Sequence, residues 1–199
     1  MRNAEFDRQQ VLRQAMAAFM AKGYTKTSMQ DLTKATGLHP GSIYCAFENK
    51  RGLLLAALEQ YVEDRNSELM GFFSQPQPFC KQLKTYLDKI VGDCISCDAT
   101  KACLLTKALN ELSEQDEEVR LIINQYLTNW HQILANNYQL AMDKGELCST
   151  QSSMALARYF TMGIYGLRTF AHCHPEPEIL NSLARQLYHD TCLTHIAEN

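Results

Sequence analysis

Four hydroxyl side chains, Thr27, Ser28, Ser42 and Tyr44, and the cation of Lys50 fall within one short stretch of the chain. Short donors beside a cation are what phosphate oxygens accept. A second group is Cys94-Ile-Ser-Cys97 with Cys103 six residues on, and Lys89 and Lys101 nearby favour the thiolate, so these thiols offer oxidant or electrophile sensing. The pattern has no βαβ context, and cysteine also serves as an inert small hydrophobe. Cys94, Cys97, His172 and His174 reach the count of a zinc site, but no second ligand pair stands at motif spacing, and no metal is expected. The chain has no glycine-rich phosphate loop, no H-E-x-x-H and no nucleophile signature, so neither enzymatic activity nor a cofactor is expected.

The elements that must position the hydroxyls read Thr27-Ser-Met-Gln-Asp-Leu-Thr-Lys-Ala-Thr-Gly-Leu-His-Pro-Gly-Ser-Ile-Tyr-Cys-Ala-Phe-Glu-Asn-Lys50. Ser28 followed by Asp31 is a capping-box pattern with Asp in the usual Glu place, and Gly37 stops the helix it opens. Pro40 suits the first turn of the next helix, where no amide donor is needed. Met29, Leu32, Ala35, Leu38 and Ile43 form a small apolar seam between the two. Short helix, tight turn, short helix is the arrangement that lets the second helix enter a DNA major groove.

Elsewhere the five prolines punctuate the chain and leave residues 79–174 without one. Apolar residues there recur at helical spacing, as in Leu121, Ile122, Tyr126, Trp130, Ile133, Leu134, Tyr138 and Met142. The fold class is all-α, with about nine helices expected near 7–21, 28–36, 40–47, 51–73, 79–96, 101–112, 115–144, 151–172 and 178–197. Two domains follow: residues 1–64, with the helix-turn-helix at about 27–46, and residues 65–199.

The chain has 199 residues, 46% hydrophobic and 21% charged, apolar enough to exclude disorder. Its net charge of -3 argues against nucleic acid until it is divided. Residues 1–52 carry eight Lys/Arg against four acids, or +4, and the remainder carries -7, a basic module on an acidic body. The start of the chain is polar without an apolar signal region, and no apolar run approaches membrane-spanning length. A cytoplasmic protein with no membrane partner is expected, its eight cysteines reduced.

The stretch AMAAFMAKGYTKTSMQDLTKATGLHPGSIYCAFENKRGLLLAAL, from Ala15 to Leu58, resembles the tetracycline-repressor-like (TetR/AcrR) transcriptional regulators in the order and spacing of its Gly-Tyr, Thr-Ser, Gly, Gly-Ser-x-Tyr-x-x-Phe-x-x-Lys and Leu-Leu elements. The similarity continues more weakly through ACLLTKALNELSEQDEEVR and DKGELCSTQSSMALARYFTMGIYGLR. The resemblance implies phosphate contacts from Thr27 and Ser28, and base or phosphate contacts from His39, Pro40, Gly41 and Ser42. It further implies phosphate contacts from Tyr44 and Lys50, with Phe47 as core. His39 stands where Ser or Thr is common, and Cys45 and Ala46 where aromatic residues or His are common, which points to fewer side-chain donors on the recognition helix.

The resemblance implies a homodimer on double-stranded operator DNA, released by a small-molecule inducer and acting as a repressor. The last two helices would form the dimer, with Tyr159, Met162, Gly163 and Gly166 facing Leu180, Leu183, Leu187 and Tyr188. Tyr86, Tyr126, Trp130, His131, Phe160 and Tyr165 are pocket candidates with aromatic walls and polar handles. The competing readings are a thiol sensor through Cys94, Cys97 and Cys103, and a helical interaction protein without DNA binding.

Overall fold

In the computed structural model, residues 6–96 and 116–192 are described. They form eight helices: α1 (Arg8–Lys22), α2 (Met29–Thr36), α3 (Pro40–Phe47), α4 (Lys50–Phe73), α5 (Phe79–Ile95), α6 (Glu117–Asp143), α7 (Ser153–Phe170) and α8 (Pro177–Cys192). The all-α class holds, and each of these helices lies within two residues of its expected limits, except where α8 is described only to Cys192. The ninth expected helix, near 101–112, lies outside the described residues, as do Cys97 and Cys103.

The described residues divide into two compact units. The first runs to Asn66 and also takes in 116–126; the second holds 67–96 and the residues from Leu127 on. The division thus falls inside α4 and α6, and the first unit is larger than a single span ending at residue 64. A physical reason is the bidentate pairing of Arg51 with Asp116, Nη2 to Oδ1 at 2.8 Å, and its further bond to Glu118 at 2.8 Å. Asp116 caps α6 by accepting from the Val119 amide, so Arg51 grips the helix at its starting residue.

In the first unit α1 packs on α2 and α2 on α3. Val11, Leu12, Ala15, Met16 and Phe19 of α1 are buried, as are Leu32, Ile43, Phe47, Leu53, Leu54 and Leu58. In the second unit α5 packs on α7 and α8, and α7 on α8. Its core includes Leu83, Tyr86, Leu87, Ile90, Leu134, Tyr138, Leu156, Phe160 and Leu180. Gly163 of α7 faces Leu187 of α8 so closely that a Cβ there would lie 2.4 Å from a Leu187 methyl.

The link from α3 to α4 is only two residues long. Glu48 adopts φ 66 and ψ -47, and the Asn49 amide donates back to the Phe47 carbonyl at 2.7 Å, a γ-turn in the strained positive-φ form. Asn49 then caps α4 through the Gly52 amide at 2.9 Å. This folding-back leaves no room at position 52: a Cβ there would sit 2.1 Å from the Phe47 carbonyl oxygen. Because the obstacle is backbone, Gly52→Ala is expected to cost about 2 kcal/mol and lower Tm by roughly 4–8 °C. Thermal unfolding followed by circular dichroism checks this, and an unchanged Tm would contradict the geometry.

Candidate nucleic-acid interface

The α2–turn–α3 hairpin is built by local hydrogen bonds. Ser28 and Asp31 form the complete capping box: the Asp31 amide donates to Ser28 Oγ at 3.2 Å and the Ser28 amide to the Asp31 carboxylate at 2.9 Å. Lys22 pairs with the same carboxylate, and with Ser28 it holds Asp31 well below the usual carboxylate range. Gly37 takes the left-handed conformation, φ 68, and its amide closes α2 on the Thr33 carbonyl at 2.9 Å.

Thr27, expected to touch the phosphate backbone, is 1% exposed. Its hydroxyl donates to the Gly23 carbonyl at 2.6 Å and its amide to the Tyr24 carbonyl at 3.3 Å. Both donors are engaged inside the protein, so this threonine anchors the entry to α2 and its hydroxyl is not displayed. The sequence pattern did not separate these roles, because a buried hydroxyl bonded to a carbonyl four residues back has the same residue type as a phosphate donor.

His39 is the N-cap of α3, its Nδ1 accepting from the Gly41 amide at 3.2 Å. That acceptor role assigns the ring proton to Nε2. The expected loss of a donor at this position is therefore corrected for His39: the ring takes over the cap that Ser or Thr would supply and keeps one N–H outside that bond. Pro40 sits at the first helical position as expected. Gly41 and Cys45 are exposed, Ser42 is half-buried, and Tyr44 is 50% exposed.

Lys50 is half-buried at the start of α4, its Nζ 4.3 Å from the centre of the Tyr24 ring and 3.5 Å from the Thr25 carbonyl. The exposed Lys26 and Lys34, which the sequence reading did not single out, flank the hairpin, and among the described residues neither has an ion-pair partner. Of the other described head cations, Arg13 pairs with Asp64, Lys22 with Asp31, and Arg51 with Asp116 and Glu118, while the exposed Arg8 lies over the Phe47 ring at 4.8 Å. Arg51 holds the Asp116 carboxyl down to about 2 from an ordinary 3.8, against the effect of burial. The described residues of the first unit carry nine Lys/Arg and nine Asp/Glu, so the +4 of residues 1–52 is balanced by acids folded against them. What survives is a local display of Lys26, Lys34 and Lys50 around the hairpin, with Arg8 against Phe47 at the end of α3.

The expected body residues separate. Tyr86 and Trp130 meet at 6.0 Å, with Phe72 and Phe73 against Tyr86. Trp130 Nε1 donates to the Thr161 hydroxyl at 2.9 Å, next in sequence to the fully buried Phe160. His131 and Tyr165 are half-buried, and burial followed by the charge of Arg158 pushes the His131 imidazole down. Tyr126 belongs to the first unit. A cavity of about 400 Å³ in the second unit is lined by Glu68, Gly71, Phe72, Gln75, Gln77, Gln82 and Thr85, none of them among the six expected.

Of the expected dimer residues, Tyr159, Met162 and Leu183 are 39%, 60% and 41% exposed, and Gly166 is exposed. Gly163 and Leu187 instead pack on each other within one chain, and Leu180 is fully buried. Cys94 is half-buried, while His172 and His174 are exposed, and among the described residues no group of three or more His, Cys, Asp or Glu side chains could hold a metal ion.

Two family models match the chain: bacterial regulatory proteins of the tetR family over residues 11–57, and the tetracyclin repressor-like C-terminal domain over residues 80–187. The chain belongs to the tetR family of DNA-binding transcriptional regulators. It is 28% identical over 171 residues to an uncharacterized HTH-type transcriptional regulator of Bacillus subtilis, YezE, covering 85% of this chain and 88% of that one. It is 30% identical over 120 residues to the Escherichia coli HTH-type transcriptional repressor ComR, covering 57% of this chain and 55% of that protein. Its fold matches a cysteine mutant of the TetR-family regulator CifR complexed with a 26-base-pair operator duplex, with a TM-score of 0.80, 24% identity, and 95% and 98% of the two chains covered.

The double role of His39 is separable by substitution. His39→Ala is expected to lower stability by about 1 kcal/mol, the usual value of an N-cap, while His39→Ser keeps the cap and the stability. Chemical unfolding of the two variants checks this, and equal losses would remove the capping assignment.

Proposed function

We propose that the chain is a repressor that binds operator DNA as a homodimer and is released by a small molecule held in its second unit. The observation that carries the DNA reading is the first turn of α3, capped by His39 and opened by Pro40, with Tyr44 half exposed beside it. In this reading Tyr44, Ser42, the Gly41 region and His39 Nε2 meet phosphates or base edges, Lys26, Lys34 and Lys50 add charge, and Ser28 and Thr27 set the hairpin's position. The helix-turn-helix places its second helix in the major groove, and a two-fold pair reads half-sites about 34–36 Å apart. Relatives described as repressors support the sign of regulation.

The homodimer is supported by the apolar side chains left exposed on α7 and α8: Tyr159, Met162 and Phe170 on one helix, Ile179 and Leu183 on the other. The inducer is supported by the aromatic group of Tyr86, Phe72 and Trp130 beside the 400 Å³ cavity, whose size suits a small organic ligand. Release would follow from tighter inducer binding to the form with lower operator affinity. Trp130 is the single tryptophan, so its fluorescence reports on that group alone during a ligand titration. A regulator acting on chromosomal DNA works in the cytoplasm of a bacterial cell, and among the described residues no helix is long and apolar enough to cross a membrane.

Binding to operator DNA is expected to weaken steeply with salt, and Lys26→Ala and Lys34→Ala each to reduce the slope of log K against log salt by about 0.9 where the lysine meets a phosphate. Tyr44→Phe is expected to weaken binding about tenfold by removing one hydrogen bond to a charged oxygen, with Tm unchanged. Electrophoretic mobility shifts on the chain's own promoter region read these effects; salt-independent binding would overturn the phosphate-driven reading.

Met162→Asp and Leu183→Asp are expected to convert a dimer into a folded monomer, since each buries a charge in the proposed interface. Analytical ultracentrifugation checks this, and dimers that persist in both variants would place the interface elsewhere.

A further inference from the structure

The cavity of about 400 Å³ in the second unit is lined from two helices and the link between them. Glu68 and Phe72, one turn apart on α4, supply one wall, Gln82 and Thr85 on α5 the other, and Gln75 and Gln77 come from the link. Glu68 is the one charged side chain among the described lining residues. Its carboxylate pairs with Lys89 Nζ at 2.8 Å, and Lys89 also holds Asp93 at 2.7 Å, so a single ammonium serves two carboxylates.

Two of the neutral side chains have committed their donors to the backbone. Gln82 is 5% exposed, and its amide nitrogen donates to the Gln75 carbonyl at 2.7 Å and the Gln77 carbonyl at 2.9 Å. Two carbonyls on that side fix which end of the amide is nitrogen, since the flipped amide would set oxygen against oxygen. Both N–H groups are used, and what Gln82 has left to offer is Oε1, an acceptor. The Thr85 hydroxyl gives its proton to the Lys81 carbonyl at 3.1 Å and keeps only lone pairs. Gln75 commits one N–H to the Gly71 carbonyl at 3.1 Å and keeps the other, with its Oε1, at the exposed rim. Glu68, Gln82 and Thr85 thus make a lining rich in acceptors. Phe72 adds an aromatic ring, held edge-on to Tyr86 at 5.2 Å, and ring faces attract cations.

We propose that this cavity binds a primary organic amine in its protonated form, the ammonium meeting Glu68, Gln82 Oε1 and Thr85 Oγ1 and the hydrocarbon body lying on Phe72. A primary ammonium carries three donors and no acceptor, the complement of three acceptor groups. A carboxylate or phosphate ligand would set further acceptors against these, each desolvated with nothing to bond to, and would bring a second negative charge to Glu68. A second cation at Glu68 leaves Lys89 its bond to Asp93, so the ligand enters by exchange and strands no charge. The volume lies toward the small end of the range for organic ligands, which suits an amine with a short alkyl or aryl body. Such an amine is the inducer of the proposed repressor; that role rests on the proposed function, whereas its binding in the cavity does not.

The test is isothermal titration calorimetry of the full chain, without DNA, against 2-phenylethylamine, with 2-phenylethanol and 3-phenylpropanoate as neutral and anionic counterparts of similar shape. At about pH 7 the amine is expected to bind saturably and about tenfold or more tighter than the alcohol, with the carboxylate weaker still. Glu68→Gln is expected to weaken amine binding about tenfold and leave the alcohol unchanged. Thr85→Val, at an exposed helix position, is expected to weaken amine binding about threefold, and it carries the test should melting show that Glu68→Gln does not fold. The proposal is overturned by an amine that does not bind at millimolar concentration, by a carboxylate that binds as tightly, or by amine affinity that the folded variants keep. A mobility shift with the same amine separates the two readings. An amine that binds without releasing operator removes its role as inducer and leaves the site; one that does not bind removes the site and leaves the repressor reading intact.

Discussion

The approach of Gly52 to the Phe47 carbonyl sets the geometry of the reading head. A two-residue link leaves the chain no slack between the end of α3 and the start of α4, so the direction of the recognition helix follows from that of the longer helix after it. The cost is carried by Glu48, a non-glycine residue held at φ 66. The compensation is compactness: Asn49 caps α4 while donating to the residue that ends α3, and two residues further on Arg51 takes hold of Asp116 and Glu118. Turn, cap and ion pair occupy five consecutive residues, Phe47 to Arg51, and together they join the end of α3 to the start of α4 and the start of α4 to that of α6 within one unit.

Charge on this protein has to be read in space. Along the chain the head is basic; in the folded unit its acids and bases balance, because Asp64, Asp116 and Glu118 come from segments beyond residue 52. Attraction for phosphate then depends on which cations remain at the hairpin after the ion pairs are made. Lys26, Lys34, Lys50 and Arg8 remain, while Arg13, Lys22 and Arg51 have become structural. Exposed pairs of this kind add little stability singly, but a bidentate arginine on a capping carboxylate fixes orientation as well.

Much of the fold was legible because its signals are local. The capping box at Ser28, the glycine at 37 and the proline at 40 each act within one turn of helix, and each appears where the residue types placed it. The side of a helix on which a residue ends up was harder to read. Thr27 is sealed in by the α1–α2 corner, and Leu187 is turned inward by the missing side chain at Gly163, both outcomes of tertiary packing. Spacing marked the recognition helix as a whole but could not tell that His39 would cap it, since histidine is an uncommon cap and its ring nitrogen does the work of a hydroxyl.

The contact between Gly163 and Leu187 carries a consequence for how this chain can vary. The space between α7 and α8 at that level is filled from one side only, a leucine entering the gap that the absent Cβ leaves. The combined side-chain volume at the two positions is therefore capped. A larger residue at 163 requires the Leu187 methyls to swing aside or a smaller residue to stand at 187, so across related sequences the two positions should tend to trade size for size.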